Sequence, residues 1–407
     1  MRKRLWAWLL IFSLLSVSVT GCFGKKEVEE LGFVMAVGID PGKQKGIYEV
    51  TFEISLPKKG GEGGGPSTQK VIYTAEGSSM RDAEASMLRV FSRRPFLGSS
   101  KVIIIGAEAA QTGMNKVLDF FQRYYEFRRT MYLVTTQGKA RELLETETRF
   151  DTLASSSIRA LMDQNKIDST FPVVRLGHYL TVLSSGSTAP VLPAVNPIRP
   201  GEERVSYPVK EGEKGPSELS ILRVGVFDGD RLKDFLDETA TKGFLWLTND
   251  VSQRYISVNY GEQQGYFVSG RVTKSSTKWK LEQVNGTFGI RYTVNVEFDL
   301  DELARDQKER TPEEWLQMAR QISSQAITKQ VYEECEKAIN KSKELKLDFL
   351  GIGRHIEAKQ PAYWKRVKDQ WQENLPDFPV AVDVKFEPQH AGASYNPPVN
   401  PPGKGQE

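Results

Sequence analysis

Hydrophobic and polar residues alternate through residues 47–56 (IYEVTFEISL). Tyr48, Val50, Phe52, Ile54 and Leu56 fall on one side, and Glu49, Thr51, Glu53 and Ser55 on the other. A period of two over this length predicts an antiparallel strand with one buried face. Residues 32–40 (GFVMAVGID) read as a strand before it, and a third strand near 71–74 leads into a helix over about 79–91. That helix is expected to line its apolar side with Ala83, Met87, Val90 and Phe91. Residues 101–106 (KVIIIG) are continuous and β-branched, as a strand buried on both faces requires. A helix over about 114–125, a strand over 131–135 and a helix after Gly138 follow. Strands alternating with helices predict an α/β or α+β layer for the first half.

Six prolines within residues 190–216, with scattered charge and no period, predict a joint that cannot pack as a regular element. Beyond it, residues 218–227, 255–260, 265–274 and 290–300 read as strands, and Asn285-Gly286 as a hairpin turn. Thr311-Pro312-Glu313-Glu314 then combines a capping residue, a proline at the first helical position and a glutamate three residues on. From there Trp315, Met318, Ala319, Ile322, Ala326, Val331, Cys335, Ala338 and Ile339 keep helical spacing to about residue 344. A second proline-started helix runs from Pro361 to Trp371, with Trp364 and Trp371 on one face as a core stripe, before a strand over 380–386. The expected fold class is mixed α+β and multidomain. Mostly antiparallel sheets pack with helices, and the C-terminal domain holds one long amphipathic helix.

The N-terminus changes this picture. Arg2, Lys3 and Arg4 precede an uncharged run from Leu5 to Val19. At 1.5 Å per residue that run reaches roughly 22 Å, short of a hydrocarbon core of about 30 Å. It reads as an export signal, and Val19-Thr20-Gly21-Cys22 resembles a bacterial lipobox, with cleavage between Gly21 and Cys22 and acylation of the cysteine. Two or more acyl chains hold a protein on a membrane where one does so marginally. The chain has two cysteines, Cys22 and Cys335, so lipidation of the first leaves no intrachain disulfide and the fold stands on its own core. Removing residues 1–21 takes away three basic residues and no acidic ones, so 55 basic against 52 acidic become 52 against 52. A neutral mature protein gives no electrostatic case for nucleic acid.

Catalytic signatures are sparse. His178, His355 and His390 are far apart and lack zinc-ligand spacing, so no metal or other cofactor is expected. The S-x-x-K matches at Ser67 and Ser275 lack companion motifs, and the glycine-rich residues 60–65 are not followed by Gly-Lys-Ser/Thr. Cys335 lies on the apolar stripe of the long helix and reads as a small buried hydrophobe. Arg123, Glu126, Arg128 and Arg129 form a charge cluster after an apolar helix. Such clusters are ordinarily local ion pairs, and this one is the candidate partner surface.

Several blocks resemble the Ger(x)C family, the lipoprotein C subunits of nutrient germinant receptors in bacterial endospores. They are residues 31–40 (LGFVMAVGID), 92–129 (SRRPFLGSSKVIIIGAEAAQTGMNKVLDFFQRYYEFRR), 242–250 (KGFLWLTND) and 347–371 (LDFLGIGRHIEAKQPAYWKRVKDQW). In the last, Asp348, Gly351, Gly353, Pro361, Trp364 and Trp371 fall as in the family. Phe23-Gly24 departs from the Trp-Asp that relatives often carry after the lipidated cysteine. With the signal peptide over 1–21, a proline-rich linker over 201–217 and a tail over 395–407 whose four prolines and lack of hydrophobic period predict disorder, the resemblance implies an N-terminal region over 22–200 of one or two domains and a C-terminal domain over 218–394. It also implies a non-enzymatic subunit on the outer face of the spore inner membrane, working with A and B subunits that are integral membrane proteins. The competing reading is a lipid-anchored solute-binding protein that feeds a transporter; a cell-wall hydrolase is disfavoured by the missing acid, base or metal constellation.

Overall fold

The computed structural model describes residues 6, 30–58, 67–198, 218–261, 265–284, 287–304 and 311–391. Apart from residue 6, the expected export signal with Gly21 and Cys22 lies outside the described residues, as do the glycine-rich residues 60–65, the expected Asn285-Gly286 turn, the expected linker over 201–217 and the expected tail over 395–407.

Strands β1 (Leu31–Pro41), β2 (Tyr48–Lys58), β3 (Ser67–Gly77), β4 (Arg94–Phe96), β5 (Val102–Ile105), β6 (Tyr132–Thr135), β7 (Val191–Ile198), β8 (Glu218–Asp228) and β9 (Arg231–Leu236) form one nine-stranded sheet. Its order is β3-β2-β1-β5-β6-β7-β8-β9, with β4 also paired to β1. β1, β4, β5, β6 and β7 run parallel where they pair, and the remaining pairs are antiparallel. Strands β10 (Arg254–Asn259), β11 (Phe267–Val284), β12 (Thr287–Leu303) and β13 (Val380–Ala391) form a second sheet in that order, its last pair parallel. Both sheets are therefore mixed.

The first sheet is covered on both faces. Helices α1 (Met80–Leu88), α2 (Ala107–Thr112) and α3 (Asn115–Arg123) pack with Val50, Phe52 and Ile54 on one face. On the other, α4 (Ala140–Glu145) and α5 (Ala154–Gln164) pack with Ala36, Val102 and Ile104, while α6 (Leu176–Ser185) joins the first face. This double cover corrects the expected polar face of β2: Thr51, Glu53 and Ser55 are buried along with its apolar residues. Glu53 is kept there by work the alternation did not reveal. Its carboxyl accepts from the Ala154 and Ser155 amides at 2.7 and 3.1 Å, closing the N-terminus of α5, with the Lys70 ammonium 3.8 Å away. Asp40, at the end of β1, does the same for α4 through the Ala140 and Arg141 amides, both at 2.9 Å. Burial raises the pKa of both carboxyls against these hydrogen bonds.

Two further expectations change. α1 stops at Leu88, so Val90 leaves the apolar stripe and stands 70 % exposed while Phe91 stays buried. Residues 191–198 form strand β7 despite Pro193 and Pro197. The ladder from β7 to β6 is a single pairing, Thr135 with Ala194, so a strand with missing amides gives up little there. The sheet does not stop at the proline-rich segment, because β7 before it and β8 after it are antiparallel neighbours.

The second sheet buries one face. Ile290, Tyr292, Val294, Val296, Phe298 and Leu300 of β12 point into its core, as their alternation predicts. Helices α7 (Glu238–Leu247), α8 (Pro312–Leu345), α9 (Ile352–Lys359), α10 (Pro361–Val367) and α11 (Trp371–Asn374) supply the rest. α8 opens with the expected capping box on Thr311 and Glu314 and runs 34 residues, about 50 Å. Cys335 is buried on its inner stripe, where burial pushes the thiol well above its ordinary pKa. The helix begun at Pro361 is broken by one tight turn at Lys368–Gln370 before α11.

Candidate functional site

The C-terminal motif turns around Asp348. α8 ends at Lys346 in a left-handed conformation (φ 55°), and the Ser342 hydroxyl donates to the Leu347 carbonyl at 2.7 Å, which sends the chain back under the helix. Asp348 is buried, and its carboxyl accepts from the Ile352 amide at 2.9 Å, the Gly353 amide at 2.5 Å and the Trp371 indole at 3.0 Å. One side chain thus caps α9 and fixes α11. Gly351 takes φ 75°, where a side chain is strained. At Gly353 a Cβ would lie 2.6 Å from the Trp364 ring and 2.8 Å from the Ser187 carbonyl oxygen. Trp364 and Trp371 meet edge to face at 5.5 Å, a core arrangement, with Pro361 starting the helix that carries the first. The Ala189 amide donates to the Asp348 carbonyl at 2.8 Å, so the motif also grips the segment that leads into β7. Burial raises the pKa of Asp348, and its hydrogen bonds oppose that.

Next to this turn is a cleft of about 160 Å³ between the halves of the chain, and an adjoining cavity of about 270 Å³ shares Val174, His178, Val191, Phe244 and Asp250 with it. Asp250 is set rigidly. Its amide donates to the Leu245 carbonyl at 2.9 Å, Thr248 donates to its carboxyl at 2.6 Å, and the preceding Asn249 is left-handed (φ 63°) with its side chain accepting from the Thr277 amide at 2.7 Å. Asp250 is exposed at the rim of the cleft; the surrounding cleft walls raise its pKa, and the Thr248 hydrogen bond, then His178 and Arg354, pull it down. A carboxyl, an imidazole and a guanidinium around apolar walls can recognise charge.

A second buried node had no signature in the sequence. Glu334 of α8 accepts two hydrogen bonds from Arg254, each 2.9 Å, and one from the Trp246 indole at 2.8 Å, and Gln330 adds a fourth at 2.9 Å. Both charged side chains are almost fully buried. Gly243 lets α7 reach α8 at this point, since a Cβ there would overlap the Glu334 carbonyl. A charged residue inside the apolar stripe, beside Cys335, was the available clue.

The arginine cluster lies elsewhere, after α3. Arg123 pairs with Asp119 at 2.7 Å, and Glu126 accepts from the Leu97 amide at 3.1 Å and from the Tyr125 hydroxyl at 3.2 Å. Arg128 and Arg129 are exposed. Among the described residues no cluster of three or more histidine, cysteine or carboxylate side chains could hold a metal, and no helix is long and apolar enough to cross a membrane.

The family model for the spore germination protein N-terminal domain matches residues 24–197, and that for the spore germination B3/GerAC-like C-terminal domain matches residues 223–392. The chain belongs to the Ger(x)C family of spore germination proteins. Spore germination protein KC of Bacillus subtilis (strain 168) is 27 % identical over 406 residues, covering 97 % of this chain and 98 % of its own. Spore germination protein GerQC of Bacillus cereus is 24 % identical over 93 % of this chain and 97 % of its own. The crystal structure of the GerBC protein matches with a TM-score of 0.51 at 18 % identity, covering 87 % of this chain and 98 % of that one, and so shares the fold. Within the Ger(x)C chain, two of the blocks that carry the resemblance converge: 242–250 supplies Phe244, Thr248 and Asp250 to the cleft, and 347–371 supplies Phe349, Gly351 and Arg354. The motif glycines and tryptophans of the second block act as packing and turn residues.

Proposed function

We propose that this chain is a non-enzymatic C subunit of a nutrient germinant receptor, anchored through an acylated Cys22 to the outer face of the spore inner membrane and required for nutrient-triggered germination. The observation that carries this reading is the match of both family domains across residues 24–392, on a chain that spans nearly the full length of its spore germination relatives. The relatives reported above carry spore germination names, and none supports feeding a transporter. An interlocked body whose buried carboxyls at Asp40, Glu53, Glu334 and Asp348 cap or latch its helices suits an assembly element. Its partners are the A and B membrane subunits.

The test is purification of the natively processed chain from detergent-solubilised spore inner membrane, with mass analysis of its N-terminal peptide and of the proteins that accompany it. Recovery of an acylated Cys22 together with A-type and B-type subunits is the expected result. Germination that proceeds normally on every nutrient after loss of this gene and its paralogues would overturn the reading.

A further inference from the structure

β1, β4, β5 and β6 are parallel along the ladder, so the segments that enter them gather at one end of the sheet. There Leu31 pairs with Arg94 and Phe33 with Phe96, Phe91 packs against Gly32, and the Leu97 amide reaches Glu126. Tyr125 lies beside Glu126 and within electrostatic range of Arg94. Three large side chains are left in solvent at this end: Val90 at 70 %, Phe96 at 40 % and Tyr125 at 83 % exposure. Around them stand Arg89, Arg94, Lys101, Arg128 and Arg129, all exposed and with no ion pair to a carboxylate among the described residues. Arg81 and Arg123 nearby are paired with Glu84 and Asp119, so the excess charge comes from the other five, set against the carboxyls of Glu30, Asp82 and Glu126.

The first strand also begins here. Cys22 is nine residues before Leu31, and nine extended residues reach about 30 Å. An acyl anchor on Cys22 would hold this end, rather than the far end with α2, near the bilayer. Exposed aromatic and aliphatic side chains interleaved with unpaired arginines suit the headgroup layer of a membrane containing anionic lipid.

From this we infer that the end of the first sheet bearing Val90, Phe96, Tyr125 and the five cations is a membrane-contact face, seated on anionic phospholipid headgroups. The inference rests on the anchor at Cys22 proposed above. It reassigns Arg128 and Arg129 from a protein surface to a lipid surface.

The test uses the lipidated chain reconstituted into phosphatidylcholine vesicles with and without phosphatidylglycerol. Environment-sensitive fluorophores are attached at Val90→Cys, Tyr125→Cys and, as a control at the opposite end of β5, Gln111→Cys; the native Cys335 is buried and stays unlabelled. Brominated lipids are expected to quench the probes at 90 and 125, more strongly with phosphatidylglycerol, and to leave the probe at 111 unchanged. Replacing Arg94, Arg128 or Arg129 by Gln should weaken the phosphatidylglycerol-dependent component about fivefold per arginine. If Cys22 carries lipid by mass analysis and the chain stays on vesicles while none of the probes is quenched, the contact face is overturned and the anchor stands. If Cys22 carries no lipid and the chain leaves the vesicles, the anchor reading itself fails. Crosslinking of positions 90 and 125 to a co-purified receptor subunit, without lipid quenching, would make this face a protein interface and overturn the inference.

Discussion

Asp348 illustrates how one residue sets a local fold. Its carboxyl gathers two amides of α9 and the indole of α11, and an asparagine in its place would turn an N–H₂ group toward those donors. Loss of at least one buried hydrogen bond should destabilise the protein by about 1–3 kcal/mol. The pH dependence follows from the raised pKa. A carboxyl whose folded pKa lies above its unfolded one contributes most below the unfolded value, and that contribution is lost as pH rises through the folded value. The stability gap between wild type and Asp348→Asn, read from urea midpoints, should therefore be widest below the ordinary carboxyl pKa of about 4 and narrow as pH rises. His355 has the opposite sign. Burial, helped by the charge of Arg354, holds its pKa down at about 4, and the ring stacks on Trp279 at 4.1 Å. The unfolded chain takes up a proton below the usual histidine value of about 6.5 that the folded chain refuses until about pH 4, so stability falls with pH across that window. His355→Phe keeps the stack and should flatten this part of the stability profile.

Among the elements, α7, α8 and β10 depend on the node at Glu334. Gly243 admits the close crossing of the two helices, and Arg254 from β10 neutralises the glutamate that the crossing buries. Arg254→Met leaves that carboxylate without its charge partner and should cost about 3–5 kcal/mol, measured by chemical denaturation. Arg254→Met combined with Glu334→Leu should recover much of the loss, because the burden is an unpaired buried charge. Element existence was legible in the sequence wherever one period dominated: β12 by its alternation, β5 by its continuous apolar run, and α8 by its capping box and stripe. β2 was legible as a strand, yet its second face was not. Alternation records hydrophobicity alone, and Glu53 is buried because it closes a helix about a hundred residues away. The prolines of 191–198 misled for a related reason, since their cost depends on how much ladder lies at that edge.

For the whole molecule, the decisive feature is that β8 and β9 serve two cores. They hydrogen-bond into the first sheet, where Phe227 and Leu232 join the N-terminal core, while Val224, Val226 and Leu236 join the core of the second sheet. The Ala189 to Asp348 bond ties the halves again beside the cleft. Elements shared this way predict one cooperative transition. After removal of residues 1–21, all five tryptophans, at 246, 279, 315, 364 and 371, lie in the C-terminal half, so indole fluorescence reports that half and far-ultraviolet dichroism the entire chain. Coincident denaturation curves from the two probes are the expected result, and a fluorescence transition separated from the dichroism transition would mean that the halves unfold independently.

The sequence by itself determined the mixed α+β class, most strands and the long helix, and the motif residues from Asp348 to Trp371, because periodicity, caps and turn residues are local properties. It also carried the family likeness and the expectation of an anchor at Cys22. Tertiary structure decided which polar side chains are buried, that Asp40 and Glu53 act as caps, that Asp348 holds the Trp371 indole, that Arg254 meets Glu334, and that arginines from separate segments share one end of a sheet. Those outcomes depend on partners 23 to about 100 residues away. Such pairings follow from how strands and helices are layered, and no local pattern encodes that layering.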